Sequence, residues 1–149
     1  MEMYSMPCFL LDGTATKVTF AAGPVIIRDG KVLVHRAPST GKFQFIGGRV
    51  DDQKTFAAVA VARAWDDCGV RVRLVGDPLP ILGQVERKGQ VEWVVLIHYR
   101  AEMINAVPEK SGEYRWCSLE ELEMLHKQGD LSSANMVIAA KHFMVAGKV

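Results

Sequence analysis

The sequence predicts an α+β fold in which helices flank a mixed β-sheet, as in an α/β/α sandwich. Three observations support this prediction. Runs rich in Val, Ile and Phe are separated by turn residues, an alanine-rich helical segment interrupts these runs, and two further helical segments come last. The 149 residues contain no repeat, low-complexity tract or linker, so residues 1–149 are predicted to form a single domain.

The composition argues against several classes of protein. Apolar residues make up 49% of the chain and 18 basic side chains balance 17 acidic ones, which indicates a globular protein without the charge excess that binds DNA or an anionic membrane. No segment approaches the length of a membrane span, and the first residues lack the features of a secretory signal. Three cysteines without CxxC spacing indicate reduced thiols. We therefore expect a soluble cytoplasmic protein.

The first half of the chain is predicted to form a hairpin, a strand and a helix. Residues 16–28 and 31–36 are strand-like and flank Asp29-Gly30, a strong signal for a two-residue hairpin turn. Residues 42–46 form another predicted strand, which leads directly into a glycine pair. Helix formers then dominate residues 53–68, and the glycine that follows is the expected C-terminal cap.

The second half supplies the remaining strands and two helices. Strands are predicted at residues 70–75, 81–86, 92–101 and 113–117, with a turn at Lys88-Gly89 and a loop at 103–112. Ser118 and Glu121 form a capping box that begins a helix. A final amphipathic helix is predicted from Ser132 or Ser133 to about Val145.

Three stretches carry a resemblance to a known family. AAGPVIIRDGKVLVHR looks like an opening hairpin, GKFQFIGGRV like a strand that enters paired glycines, and EYRWCSLEEL like a late strand followed by a serine-capped helix. In this order and at these separations they resemble the Nudix hydrolases, over about residues 16–145. The resemblance implies a Nudix-like α/β/α sandwich.

The family signature, G-x5-E-x7-R-E-U-x-E-E-x-G-U with U aliphatic, falls without gaps on residues 48–70. Gly48, Gly69 and the aliphatic Val70 match it. Asp66 and Asp67 occupy the paired-glutamate positions, with the charge kept and one methylene missing. The resemblance therefore implies that this aspartate pair is catalytic and holds a metal ion.

The signature fails at three other positions, and the residue before the glycine pair also departs from the family pattern. Lys54 stands at the first glutamate, Ala62 at the arginine and Arg63 at the next glutamate. Ile46 replaces the proline that often precedes the glycine pair. The segment is thus a better marker of the fold than of catalysis.

The resemblance implies cleavage of a nucleoside diphosphate linked to another group, with Mg²⁺ or Mn²⁺. Such a reaction needs cations that neutralise the charge developing on the phosphates, and carboxylates on one helical face can hold them. Glu113, near the late loop, is by resemblance a catalytic base or ligand, and its alternative is an exposed strand residue. Asp51 and Asp52 could supply substitute oxygens or simply form a turn.

Arg63 argues against that metal site. It lies three and four residues before Asp66 and Asp67, so it is predicted to pair with both carboxylates. A guanidinium has five donors and no lone pair for a metal, and its charge repels a dication in a poorly screened cleft.

The glycine pair and its neighbours suggest a different ligand mode. Gly47 and Gly48 can let the backbone approach a phosphate, and Arg49, Lys54 and Arg63 make the pocket more positive than the family pattern. The hypothesis is that these fixed cations bind a phosphate directly. None of the four histidines shows ligand spacing, and His35 and His98 are expected to be structural strand residues.

Two functions therefore remain open. The first is a diverged Nudix-type hydrolase of a nucleoside diphosphate derivative. The alternative is a catalytically inactive module that binds a nucleotide or a protein partner. Similar proteins are commonly dimers, so the resemblance also implies a homodimer as a candidate assembly.

Overall fold

The computed structural model describes residues 5–51 and 54–146. Within these ranges the chain forms nine strands and three helices. The strands are β1 (Ser5–Phe9), β2 (Ala15–Arg28), β3 (Lys31–Arg36), β4 (Phe43–Gln44), β5 (Gly48–Arg49), β6 (Val72–Leu74), β7 (Leu79–Arg87), β8 (Gln90–Met103) and β9 (Tyr114–Cys117). The helices are α1 (Phe56–Cys68), α2 (Leu119–Lys127) and α3 (Asn135–Ala146).

The long strand β2 organises a mixed sheet. One edge of β2 pairs in parallel with β8, from Val18 opposite Trp93 to Ile26 opposite Ala101. Its other edge pairs antiparallel with β1, β5 and β3 in turn. β7 and β6 extend the sheet beyond β8, and β3 also pairs with β4 and β9.

Alternating side chains divide the core into two layers. Val25 and Val32 pack in the cluster that contains the buried residues of α2 and α3. Their neighbours Ile26 and Leu33 pack with Ala64 of α1 instead. Because successive strand residues point to opposite faces, these alternating contacts place α1 on one face of the sheet and α2 with α3 on the other. The predicted α/β/α sandwich is confirmed.

Both predicted hairpin turns are present. Asp29 and Gly30 have φ angles of 52° and 72°, and Lys88 and Gly89 have φ angles of 52° and 77°. Two consecutive positive φ angles characterise the type I′ turn, whose twist matches that of the flanking strands.

Several boundaries differ from the predictions. β1 lies outside the predicted strands, and it pairs with β2 from Ser5 opposite Thr19 to Phe9 opposite Ala15. β4 covers only two residues of the predicted 42–46 strand, and the short β5 follows it. α1 begins at Phe56 because the side chain of Thr55 caps it, accepting from Ala58 N at 3.1 Å.

The last helix also starts later than predicted, at Asn135 instead of Ser132 or Ser133. Among the described residues, every helix is too short or too polar to cross a bilayer. Asp52 and Gln53, which belong to the predicted acidic loop and helix start, lie outside the described residues.

Candidate functional site

The glycine pair passes directly against β2. A Cβ atom on Gly23 would lie 2.8 Å from Gly47 Cα and 3.1 Å from the carbonyl carbon of Ile46. Gly48 then pairs with Ala22 of β2. The absence of side chains therefore brings the two backbones into contact, and this contact fixes the position of the glycine loop.

Arg63 of α1 lies over Gly48. A Cβ atom on Gly48 would come within 2.7 Å of Arg63 Cζ, so only glycine leaves room for the guanidinium as it stands. Arg63 Nη1 is also 3.8 Å from Asp67 Oδ1, one helical turn further on. The predicted pairing is present at Asp67, but among the described ion pairs none joins Arg63 to Asp66.

The aspartate pair is exposed at the end of α1, with a second cation beside it. Lys110 Nζ donates a hydrogen bond to the main-chain oxygen of Asp66. His35 interacts electrostatically with Asp67. Burial lowers the pKa of His35, and the Asp67 carboxylate offsets part of that lowering. Arg63 thus contacts the Asp67 carboxylate, and Lys110 contacts the main chain of Asp66.

The described residues do not by themselves complete a site for a divalent cation. Mg²⁺ requires about six oxygen ligands in near-octahedral geometry, but no group of three Asp, Glu, His or Cys side chains converges within residues 5–51 and 54–146. The Arg63 guanidinium contacts one of the two carboxylates. A metal role for Asp66 and Asp67 therefore stays a prediction.

The other predicted acidic groups are Glu113, Asp51 and Asp52. Glu113 is exposed just before β9, and its carboxylate pairs with Arg36 Nε of β3. The backbone N–H of Arg36 also donates to Glu113 O at 2.9 Å. Asp51 is exposed at the end of the glycine loop, and Asp52 lies outside the described residues. A catalytic role for Glu113 stays a prediction.

A pocket of about 260 Å³ opens beside the glycine loop. It contacts three of the predicted substrate-binding residues, Gly47, Gly48 and Arg49, but not the aspartate pair or Glu113. Arg63 adjoins it only through Gly48. Apolar side chains form much of its wall, and five polar residues besides Arg49 complete it: Gln44, His98, Ser132, Ser133 and Asn135.

A chain of hydrogen bonds runs along the polar wall. Ser133 Oγ donates to Asn135 Oδ1. Asn135 Nδ2 lies 2.9 Å from His98 Nε2. His98 Nδ1 lies 3.1 Å from Leu96 O and 3.3 Å from Leu79 O. His98 is only 6% exposed, and burial lowers its pKa.

The polar wall was not predicted from the sequence. His98 was expected to be structural, and no role was assigned to Asn135 or to Gly23. A weak signal was available, because two polar residues, Ser132 and Ser133, precede the apolar face of α3. What the sequence does not give is the parallel pairing of β2 with β8, which sets His98 opposite Gly23.

Comparison with known proteins places this geometry in a family. The model of the NUDIX domain matches residues 18–139. Among solved structures, the E. coli ORF135 protein is similar at 23% identity, with a TM-score of 0.67 and coverage of 87% of this chain and 91% of that chain.

Two other solved structures show the same fold. A NUDIX-family hydrolase from Clostridium perfringens has 18% identity and a TM-score of 0.64, covering 85% of this chain and 96% of its own. The C. elegans Ap4A hydrolase has 19% identity and a TM-score of 0.60, covering 86% and 98%. No curated protein matches the sequence. Since the family model spans most of the chain, this protein belongs to the Nudix family.

Proposed function

We propose that this protein binds a nucleoside diphosphate derivative without a divalent ion. In this proposal the phosphates lie at the glycine loop and the nucleoside occupies the adjacent pocket. The observation that carries it is the shared position of Gly48, which lines the pocket and also contacts the guanidinium of Arg63. Arg49 supplies a second cation at the same end of the pocket.

A fixed guanidinium can serve the role that a metal serves elsewhere. Its planar donors form paired, charge-assisted hydrogen bonds with phosphate oxygens. Arg63 is partly buried, with 29% of its side chain exposed, so solvent screens its charge less than that of a free surface residue. The salt bridge to Asp67 orients the side chain before any ligand binds.

The size and walls of the pocket support binding of a small ligand such as a nucleoside. Its volume of about 260 Å³ lies just below the range of about 300–1,000 Å³ that is usual for small-molecule sites. Its walls combine apolar side chains with a few polar groups, which is the usual composition of such sites. The remainder of a larger ligand would extend past the glycine loop.

Calorimetric titration of ADP, GDP, CDP and UDP in EDTA tests the proposal. We expect binding of at least one of them, and a roughly 10- to 150-fold loss of affinity in Arg63→Gln and in Arg49→Gln, since a hydrogen bond to a charged group contributes about 1.5–3 kcal/mol. Arg73→Gln is the matched control, because Arg73 pairs with Glu102 on β6 and β8, outside the pocket. Binding that requires Mg²⁺ would contradict the proposal.

A second candidate is metal-dependent hydrolysis of the same ligand class. Asp66 and Asp67 stand exposed in the last turn of α1, where carboxylates oppose the helix dipole. Helix stability alone would therefore not favour two carboxylates in the last turn of α1. The structural relative named as an Ap4A hydrolase supports the reaction class.

A hydrolysis assay with Mg²⁺ or Mn²⁺ distinguishes the two candidates. Hydrolysis by the natural protein that disappears in Asp67→Asn would establish the second candidate. Under the first candidate the natural protein is inactive, and Lys54→Glu with Arg63→Glu restores the signature charges. We expect that double variant to gain a Mn²⁺ site, detectable by electron paramagnetic resonance, that Arg73→Glu lacks.

The assembly prediction can be tested in the same preparations. The balanced composition favours a cytoplasmic location, and the family resemblance favours a homodimer. Light scattering at micromolar concentration would measure the mass directly. A mass near the 16.5 kDa of one chain would contradict the dimer.

A further inference from the structure

The hydrogen bonds of His98 fix its tautomer. Nδ1 faces two main-chain oxygens, those of Leu96 at 3.1 Å and Leu79 at 3.3 Å. A carbonyl oxygen can only accept a hydrogen bond, so Nδ1 carries the hydrogen. Burial disfavours the charged imidazolium and lowers the pKa of His98. In the neutral ring Nε2 is therefore an acceptor.

This tautomer fixes the orientation of the Asn135 amide. An acceptor at Nε2 requires a donor opposite it, and Asn135 Nδ2 occupies that place at 2.9 Å. At the other end of the amide, Asn135 Oδ1 accepts from Ser133 Oγ. Rotating the amide by 180° would set its oxygen against the bare nitrogen of His98, with no hydrogen between them.

The amide keeps further hydrogen-bonding capacity. An amide nitrogen has two hydrogens and an amide oxygen has two acceptor positions, so one of each remains after these contacts. Asn135 lines the pocket. Because His98 fixes which end of the amide is the donor, the order of donor and acceptor on this wall is also fixed.

We infer that His98 is a positioning residue that makes the pocket selective for one arrangement of donor and acceptor on a nucleobase edge. This inference rests on the proposed function only where it concerns the phosphates of the ligand, which that proposal places at the glycine loop. Recognition of the base depends on the pocket alone. Bases differ in the order of their donors and acceptors, so a fixed amide discriminates among them and a freely rotating amide does not.

Two variants separate positioning from simple packing. His98→Leu removes the acceptor that faces Asn135, whereas His98→Gln can present its side-chain oxygen in place of Nε2. We expect the natural protein to bind one of the nucleosides adenosine, guanosine, cytidine and uridine at least tenfold more tightly than the weakest. In His98→Leu this spread should fall to about twofold, and His98→Gln should restore most of it.

Long-range ¹H–¹⁵N spectra at neutral pH supply a readout that packing would not change. The expected spectrum shows Nδ1 of His98 protonated and Nε2 bare. An Nε2-protonated ring would overturn the inference. So would an unchanged ranking of nucleosides in His98→Leu, or the absence of nucleoside binding at millimolar concentration.

The failure of the proposed function gives a different result. If the phosphate end does not bind as proposed, the nucleosides still show the spread that depends on His98, while the corresponding diphosphates gain no affinity over them. Ribose 5-phosphate, which lacks a base, serves as the control ligand. Its affinity should be the same in the natural protein and in His98→Leu.

Discussion

At Arg63 a guanidinium occupies a position where the family signature has a carboxylate, and its neighbours accommodate it. Gly48 leaves space for the side chain, and Asp67 supplies a counter-charge at 3.8 Å. On a solvated helix such a pair contributes only about 0.2–0.5 kcal/mol. Its importance is therefore chemical rather than energetic, because it places a fixed positive charge beside the glycine loop.

Alanine substitutions at two glycines should differ sharply in their cost. A methyl group on Gly23 would meet the backbone of Gly47, which cannot move without shifting the loop, whereas one on Gly48 would meet the movable end of Arg63. We expect Gly23→Ala to lower the free energy of unfolding by about 2–4 kcal/mol and Gly48→Ala by less than about 1 kcal/mol. Urea denaturation measures both.

The same pair of variants should separate stability from binding. Gly48→Ala displaces Arg63 and should weaken the affinity for nucleoside diphosphates while the fold persists. Equal losses of stability in the two variants would contradict the described contacts. Gly83→Ala is the control, since a Cβ atom at Gly83 meets nothing within 4 Å. Gly76 is unsuitable as a control because its φ of 75° would strain any other residue.

At the scale of elements, the end of α1 is tied to the loop that follows β8. Gly69 adopts the left-handed conformation and its N–H bonds to Trp65 O at 2.9 Å. Asn105 then joins the two segments. Its side chain donates to Gly69 O at 2.9 Å and to Val107 O at 3.0 Å, and accepts from Arg71 N at 3.0 Å.

Asn105→Ala should therefore loosen this junction. The change removes three hydrogen bonds, each worth about 1 kcal/mol in net stability, so we expect the free energy of unfolding to fall by about 2–3 kcal/mol. Asn105→Asp keeps the acceptor for Arg71 N–H and loses the two donors, so its loss should be intermediate. Chemical denaturation gives the values, and a loss below about 0.5 kcal/mol for alanine would show that water replaces these contacts.

The elements differ in how far the sequence predicts them. The turns at Asp29-Gly30 and Lys88-Gly89 and the capping box at Ser118 depend on a few adjacent residues, so local patterns suffice. β5 has no local signal because its two residues become a strand only by pairing with Ala21 and Ala22 of β2. The positions of the glycine pair and Arg63 in the sequence were informative, but their direct contact depends on tertiary packing.

At the scale of the whole molecule, the buried His98 and the half-buried His35 link stability to pH. Burial lowers the pKa of both His35 and His98 below the ordinary value of 6.5. In the unfolded chain both groups return to that value and bind protons more readily. Between the folded and unfolded pKa values the unfolded state thus holds more protons, and stability rises with pH.

The free energy of unfolding should consequently fall as the pH drops below about 6.5, and level off once it is below the folded pKa values. Urea denaturation at pH 7.5, 6.5 and 5.5 measures the trend. His98→Gln and His35→Gln should each flatten the curve over this range. A curve that rises toward pH 5.5 would contradict the burial of these rings.

The parallel ladder between β2 and β8 places Gly23 directly opposite His98. Side chains alternate between the faces of a strand, so a shift of one position would turn the imidazole away from the cavity. A single residue inserted after Trp93 would have that effect, provided that the pairing of β7 with β8 around their turn is unchanged. A one-residue insertion in β8 after Trp93 should therefore abolish ligand selectivity. An insertion of the same length in the exposed turn at Gly89 should be tolerated.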